Sequence, residues 1–155
     1  MNTDVQPIPP GYHTITPYII VKDAHKAIDF YQRALGAELL FKMDAPGGKI
    51  GHSELKIGDS RIMMADEHPD IGAVAPEGKT RSFSLMVYVP DVDRVFNQAI
   101  AAGAKVINPL ENKFYGDRMG TIEDPFGHQW HLGMTVENVS PEEMEIRAKK
   151  AYGLS

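Results

Sequence analysis

The chain has 155 residues, enough for one domain or for two half-domains sharing a core. Apolar residues make up 43% and charged residues 24%, which excludes a wholly disordered chain, and a net charge of -5 argues against a nucleic-acid surface. There is no cysteine, so disulfides, zinc–thiolate sites and cysteine nucleophiles are excluded, a usage that fits a reducing compartment.

The N-terminal stretch MNTDVQPIPPGYHT has no basic segment followed by an apolar one, so a signal peptide is not expected. No apolar run approaches the length of a membrane span. A cytoplasmic protein is therefore expected. Pro7, Pro9 and Pro10 predict an extended arm over residues 1–13.

The chain then repeats itself. TPYIIVKDAHKAIDFYQRALGAELLF runs from Thr16 to Phe41, and SLMVYVPDVDRVFNQAIAAGAKVI from Ser84 to Ile107. Each has an apolar strand, a Val-x-Asp, a helical pattern, and a Gly-Ala before a second strand. Asp23 and Asp91 stand where each helix needs an N-cap. Ala27, Ile28, Tyr31 and Leu35 recur at helical spacing, as do Val92, Val95, Phe96, Ala99 and Ile100. Gly36 and Gly103 fall where the helices end.

Three more strands follow each unit. Glu38–Met43, Gly51–Ile57 and Arg61–Ala65 are separated by turns at Gly47-Gly48 and Gly58-Asp59. Lys105–Pro109, Arg118–Glu123 and Gln129–Gly133 follow the second, with Asp124-Pro125-Phe126-Gly127 as the last hairpin turn. The order is βαβββ twice, in modules spanning 14–65 and 82–135. Residues 66–81, with Pro69, Gly72, Pro76 and Gly78, read as a linker. The tail, 136–155, carries a helix from Pro141 to about Tyr152, with Ser140 as N-cap and Glu143 completing a capping box.

The phrases ITPYIIV, AIDFYQRALGAE, HSELKIGDSRIMMADE, YGDRMGTIEDPFGHQWHL and NVSPEEM, in this order and spacing, resemble the vicinal oxygen chelate superfamily. That group includes glyoxalase I, fosfomycin and bleomycin resistance proteins and extradiol dioxygenases. The resemblance is to its PhnB-like, glyoxalase/bleomycin-resistance branch, and it extends from Thr14 to Tyr152. It implies an α+β fold of two βαβββ modules forming an eight-stranded open cup, and a homodimer. Exposed strand edges of such a cup favour pairing between chains as well.

Superfamily members commonly carry four metal ligands on the cup-facing strands. One comes from the first strand and one from the last strand of each module. Transferred by spacing, these positions are Thr16, Met63, Ser84 and His131, with each of the pairs Thr16/Ser84 and Met63/His131 68 positions apart. Glyoxalase-type enzymes need histidines and carboxylates there. Only His131 is an ordinary ligand, so no metal and no cofactor is expected.

Strand alternation predicts what lines the cup instead. Thr16, Tyr18 and Ile20 share one face, with His52, Glu54 and Lys56, then Arg61, Met63 and Ala65. In the second module Ser82, Ser84, Met86 and Tyr88 face in, with Gln129 and His131. His52 and Glu54, about 7 Å apart along a strand, suit a general-base pair or a cation site; the plainer alternative is a hydrated polar patch. His131 suits proton transfer, or a hydrogen bond to a ligand or within the core. Arg118 either anchors an anionic or carbonyl group or pairs with a carboxylate of its own module. Trp130 has the helix-facing parity of a core residue. His13, His25, His68 and His128 are assigned no role.

Three functions remain open on the sequence. The first is a metal-independent protein that sequesters an aromatic or polycyclic compound, with Thr16, Tyr18, His52, Glu54, Met63, Ser84, Met86, Tyr88, Arg118 and His131 as ligand-binding candidates. The second is a lyase, isomerase or dioxygenase using a non-standard metal site or metal-free acid–base chemistry at His131, His52 and Glu54. The third is an interaction module with a vestigial cup. The partner expected for the first two is a small molecule, not nucleic acid or a membrane.

Overall fold

The computed structural model describes residues 5–79 and 81–154. Residues 1–4 of the expected arm, Thr80 of the expected linker and Ser155 of the tail lie outside the described residues. The chain divides into two compact units, with the boundary between Pro76 and Glu77.

In the first unit, strand β1 (Tyr18–Val21) leads into helix α1 (Ala24–Leu35), followed by β2 (Glu38–Ala45), β3 (Lys49–Ile57) and β4 (Ser60–Asp66). The sheet order is β1-β4-β3-β2, with β1 parallel to β4 and the remaining pairs antiparallel. In the second unit, β5 (Leu85–Tyr88), α2 (Val92–Ala102), β6 (Lys105–Asn112), β7 (Asp117–Glu123) and β8 (Gln129–Thr135) give the same order, β5-β8-β7-β6. The fold is thus α+β, two four-stranded βαβββ sheets each backed by a helix. The repeat extends to register: Tyr18 pairs with Met63, and Met86, 68 positions on, pairs with His131.

The caps fall where the sequence puts them. Asp23 accepts from the Lys26 N–H and Asp91 from the Arg94 N–H, each at 3.0 Å. These bonds satisfy donors that the first helical turn leaves unpaired. Gly36 and Gly103 end the helices in the left-handed conformation that glycine adopts without a Cβ penalty.

One face of each sheet packs on its helix. In the first unit Ile19, Val21, Leu55, Ile62 and Met64 are buried with Ala27, Phe30 and Tyr31 of α1. In the second, Ile122, Trp130 and Leu132 are buried with Val92, Val95, Phe96 and Ala99 of α2. Alternation leaves the opposite face of each sheet, here the open face, to the remaining side chains.

Two buried carboxylates fasten these layers. Asp66 accepts from the backbone N–H of Ala24 at 2.9 Å and of Ile50 at 2.8 Å, tying the start of α1 to β3. Asp124 accepts from the N–H groups of Phe126 and His128 and from the Trp130 indole, each at 2.9 Å. The DPFG turn is thereby locked to the largest core side chain of its unit.

The segment read as linker begins with ordered structure. β4 continues to Asp66, a short 3-10 turn covers Pro69–Ile71, and His68 bridges back to Ala73. The tail helix, α3 (Pro141–Tyr152), is capped by Ser140, which accepts from the Glu143 N–H at 3.2 Å. The expected capping box is not completed. The Glu143 carboxylate turns instead to Arg147 Nε at 2.7 Å, since a guanidinium offers a stronger charge-assisted bond than a neutral N–H.

Candidate functional site

The open face of the first sheet carries a cavity of about 610 Å³. Tyr18 and Ile20 of β1, Ala65 of β4 and Gly51 of β3 line it, and the returning segment from Glu67 to Ala73 forms its far side. A register shift in the β2–β3 hairpin shapes this wall. Met43 pairs with His52 and Asp44 with Ile50, so Gly51 is the extra residue of a bulge. Ile50 is thereby buried, while His52 lies on the open face. A Cβ at Gly51 would come into van der Waals contact with the Ala45 Cβ, 3.4 Å away.

Beside the cavity runs a string of polar groups. The Tyr18 hydroxyl lies 2.8 Å from His52 Nδ1, and His52 Nε2 lies 3.4 Å from Glu54 Oε1. The Tyr18 and His52 rings are 5.5 Å apart and tilted, with Phe41 6.4 Å from His52 on the other side. Beyond Glu54, the Arg61 guanidinium sits 4.8 Å from the centre of the Tyr12 ring, a cation–π arrangement. The Tyr12 hydroxyl is buried beside Glu54 and makes no hydrogen bond among the described residues. The Tyr12 hydroxyl, a donor facing Glu54 from outside ideal hydrogen-bond geometry, holds the Glu54 carboxyl below its ordinary value against the cost of burial, with His52 and Arg61 adding to it. Burial raises the Tyr18 phenol, and burial followed by Glu54 raises that of Tyr12.

The open face of the second sheet holds a different set. His131 is held at both ring nitrogens, with Ser84 Oγ 3.0 Å from Nε2 and Thr121 Oγ1 2.8 Å from Nδ1. The Tyr88 hydroxyl donates to Asp117 Oδ2 at 2.8 Å, and Thr135 Oγ1 lies 3.0 Å from Asp117 Oδ1. That bond to Asp117, with burial adding to it, raises the Tyr88 phenol. Met86 lies over Gly133, where a Cβ would come within 2.5 Å of the Met86 methyl.

The structure therefore joins Tyr18, His52 and Glu54 in one unit, and Ser84 and His131 in the other. Thr16 lies just before β1, and the Met63 N–H donates to the Pro17 carbonyl at 2.9 Å. Arg118 is not with these groups. Along β7 it alternates with Asp117 and Thr121, and its guanidinium makes a two-point ion pair with Asp93 of α2 at 2.7 and 2.9 Å. Through this pair Arg118 lowers the Asp93 carboxyl and Asp93 raises the Arg118 guanidinium. The anion-anchoring alternative for Arg118 gives way to the ion pair within its module.

The four positions that the resemblance marks for a metal offer two hydroxyls, a thioether and one imidazole. This donor set does not fit a hard or borderline divalent ion. Among the described residues, no three His, Asp or Glu side chains converge as a metal group. No helix among them is long and apolar enough to cross a membrane.

Several site residues escaped the sequence reading. Thr121 sits opposite His131, a pairing that could be counted back through the DPFG turn. Phe41 has open-face parity only once the β2–β3 bulges are known. Tyr12 lies in an arm without periodicity. His68 and Lys49 line the cavity from irregular segments, where alternation says nothing.

The profile of the Glyoxalase/Bleomycin resistance protein/Dioxygenase superfamily matches residues 11–132. The chain belongs to this superfamily. An uncharacterised protein of Mycobacterium bovis is 36% identical over 135 residues, covering 84% of this chain and 89% of that protein. Among solved structures, protein PA1353 from Pseudomonas aeruginosa is 28% identical with a TM-score of 0.64, covering 79% of this chain and 98% of its own. TioX from Micromonospora sp. ML1 is 27% identical with a TM-score of 0.61, covering 83% and 100%.

Proposed function

We propose that this protein is a metal-independent small-molecule-binding protein that sequesters an aromatic or polycyclic compound. The cavity beside Tyr18 carries this reading. Its volume of about 610 Å³ falls in the ordinary range of ligand pockets, roughly 300–1,000 Å³. Tyr18, Ile20 and Ala65 supply an aromatic and aliphatic wall, and a few polar groups stand beside it, the usual makeup of such a pocket. The donor set of Thr16, Met63, Ser84 and His131 supports a function without a divalent metal. Homodimerisation in the cytoplasm belongs to the same proposal, supported by the edge strands β2 and β6 that each sheet presents; a monomer mass in light scattering at all concentrations would overturn the dimer.

A second reading, acid–base catalysis, is favoured by one observation, the hydrogen-bonded string of Tyr18, His52 and Glu54. Native mass spectrometry of gently purified protein tests both readings, followed by calorimetric titration with naphthalene-type probes. A co-purified or titrated aromatic ligand, bound unchanged and lost in Ile20→Asp, is the expected result. Conversion of a bound compound to a product would favour catalysis. Absence of any aromatic binding, or binding indifferent to Ile20→Asp, would sink the sequestration reading.

A further inference from the structure

Resting on the ligand-binding reading of this cavity, we infer that Tyr18 presents a hydrogen-bond acceptor to the ligand, so that the site selects aromatic compounds bearing a hydroxyl or N–H donor. The direction of the protons along the string sets this polarity. Glu54 is a carboxylate, and a carboxylate only accepts. Its Oε1 lies 3.4 Å from His52 Nε2, so that nitrogen carries the hydrogen. In a neutral imidazole the other nitrogen is then an acceptor. His52 Nδ1 accordingly accepts from the Tyr18 hydroxyl, 2.8 Å away.

The consequence lies at Tyr18. Its one hydroxyl hydrogen is committed to His52, and what remains on the oxygen is lone-pair density. Tyr18 also lines the cavity and is 48% exposed, so a bound molecule meets its ring and its oxygen together. A donor on the ligand completes the string as ligand to Tyr18 to His52 to Glu54. A ligand with only an acceptor at that point meets lone pairs and loses a water it cannot replace.

Two carboxylates of the cavity wall are engaged with backbone donors. Both carboxylate oxygens of Asp66 take backbone N–H groups, from Ala24 and Ile50. Glu67 Oε1 takes the N–H of Ala75 at 2.9 Å. The polarity of Tyr18 is thus set from two residues away, by a carboxylate that does not line the cavity. Glu54 and His52 are positioning residues in this sense, acting through the orientation of one hydroxyl.

The test compares 2-naphthol with 2-methoxynaphthalene, two probes that share a ring system and differ in whether the oxygen carries a hydrogen. Calorimetric titration of the full chain near neutral pH is expected to show 2-naphthol bound about tenfold more tightly, the worth of one well-made hydrogen bond. The ratio should fall towards one in Tyr18→Phe, which keeps the ring and loses the oxygen. It should also fall in Glu54→Gln, where the amide can donate to His52 Nε2 and reverse the string. Long-range nitrogen–proton NMR spectra of the unliganded protein are expected to show His52 in the Nε2–H form. Equal affinity for the two probes, a ratio unmoved in both variants, or an Nδ1–H imidazole would overturn the inference. If neither probe binds, the ligand reading itself fails and takes this selectivity with it; equal binding overturns the selectivity alone.

Discussion

The indole Nε1 of Trp130 donates to Asp124 Oδ2 at 2.9 Å, while the other oxygen of the same carboxylate takes two backbone N–H groups of the turn that precedes β8. One buried aspartate thus fixes both the hairpin and the largest core side chain of the second unit, at its join with the strand that bears His131. The open face depends on this join, because the position of Trp130 on one side of β8 sets that of His131 on the other.

Replacing Asp124 by alanine leaves three donors in or near the core without their acceptor. A loss of roughly 3 kcal/mol is expected, since each unsatisfied buried group costs about 1–3 kcal/mol. Asp124→Asn, which keeps one carbonyl oxygen, should lose less. Trp130 is the sole tryptophan and is 1% exposed, so its emission in a urea titration reports the second unit. A loss below about 1 kcal/mol in Asp124→Ala would refute the structural role.

Asp66 plays the corresponding part in the first unit, although the two aspartates occupy different positions in the repeat. Its carboxylate accepts from Ala24 at the start of α1 and from Ile50 beside the Gly51 bulge. Asp66→Ala is expected to destabilise by about 2–4 kcal/mol. Because Ile50 and Asp66 both line the cavity, probe affinity should fall with stability. Circular dichroism during urea unfolding, together with probe titration, checks both expectations. An unchanged midpoint would show that water replaces the carboxylate at no cost.

The extent to which this was legible in the sequence follows from how local each signal is. Caps at Asp23 and Asp91, and helix ends at Gly36 and Gly103, are short-range and appeared as expected. The 68-residue repeat showed the βαβββ order in both modules; the matching pairings of Tyr18 with Met63 and of Met86 with His131 came only with the structure. Period-two alternation placed His52, Glu54 and His131 on the open faces. It did not reveal that Tyr18 reaches His52, because a cross-sheet contact depends on side-chain length and rotamer as well as parity. Arg118 was harder still. Its position in β7 is helix-facing, but the carboxylate that takes it comes from α2, 25 residues earlier. The capping box failed for a similar reason: Glu143 has a better partner in Arg147, one helical turn on.

Glu54 makes a prediction about acid. Its folded-state carboxyl lies below the ordinary value, with Tyr12 first among the causes, then His52 and Arg61. A carboxyl lowered on folding stabilises the native state above its unfolded value, and that contribution is lost as pH falls through the lowered folded value. Native protein should therefore exceed Glu54→Gln in stability near neutral pH, and the difference should shrink as the solution is taken below about pH 4. Urea midpoints of the two proteins across this range provide the measurement. A difference that grows on acidification would mean that the charged form is disfavoured by folding and that the string is wrongly oriented.

Divalent metal is expected to find no site at His131. His131 is the one ordinary metal donor among Thr16, Met63, Ser84 and His131, and both of its nitrogens already face hydroxyls, Ser84 at 3.0 Å and Thr121 at 2.8 Å. A metal would have to displace one of these bonds and would gain from the Ser84 and Thr121 hydroxyls only neutral oxygens. Those ligands hold nickel, zinc, manganese and iron(II) poorly. Calorimetric titration with these ions is expected to give no saturable one-to-one binding, and His131→Ala should leave the traces unchanged. Ser84→His supplies the missing type of donor at a position already in contact with His131. It is expected to raise zinc affinity by at least about tenfold, since a second imidazole adds a full ligand to the set. Tight one-to-one binding in the native protein, abolished by His131→Ala, would overturn the metal-independent reading and put a metal-assisted reaction in its place.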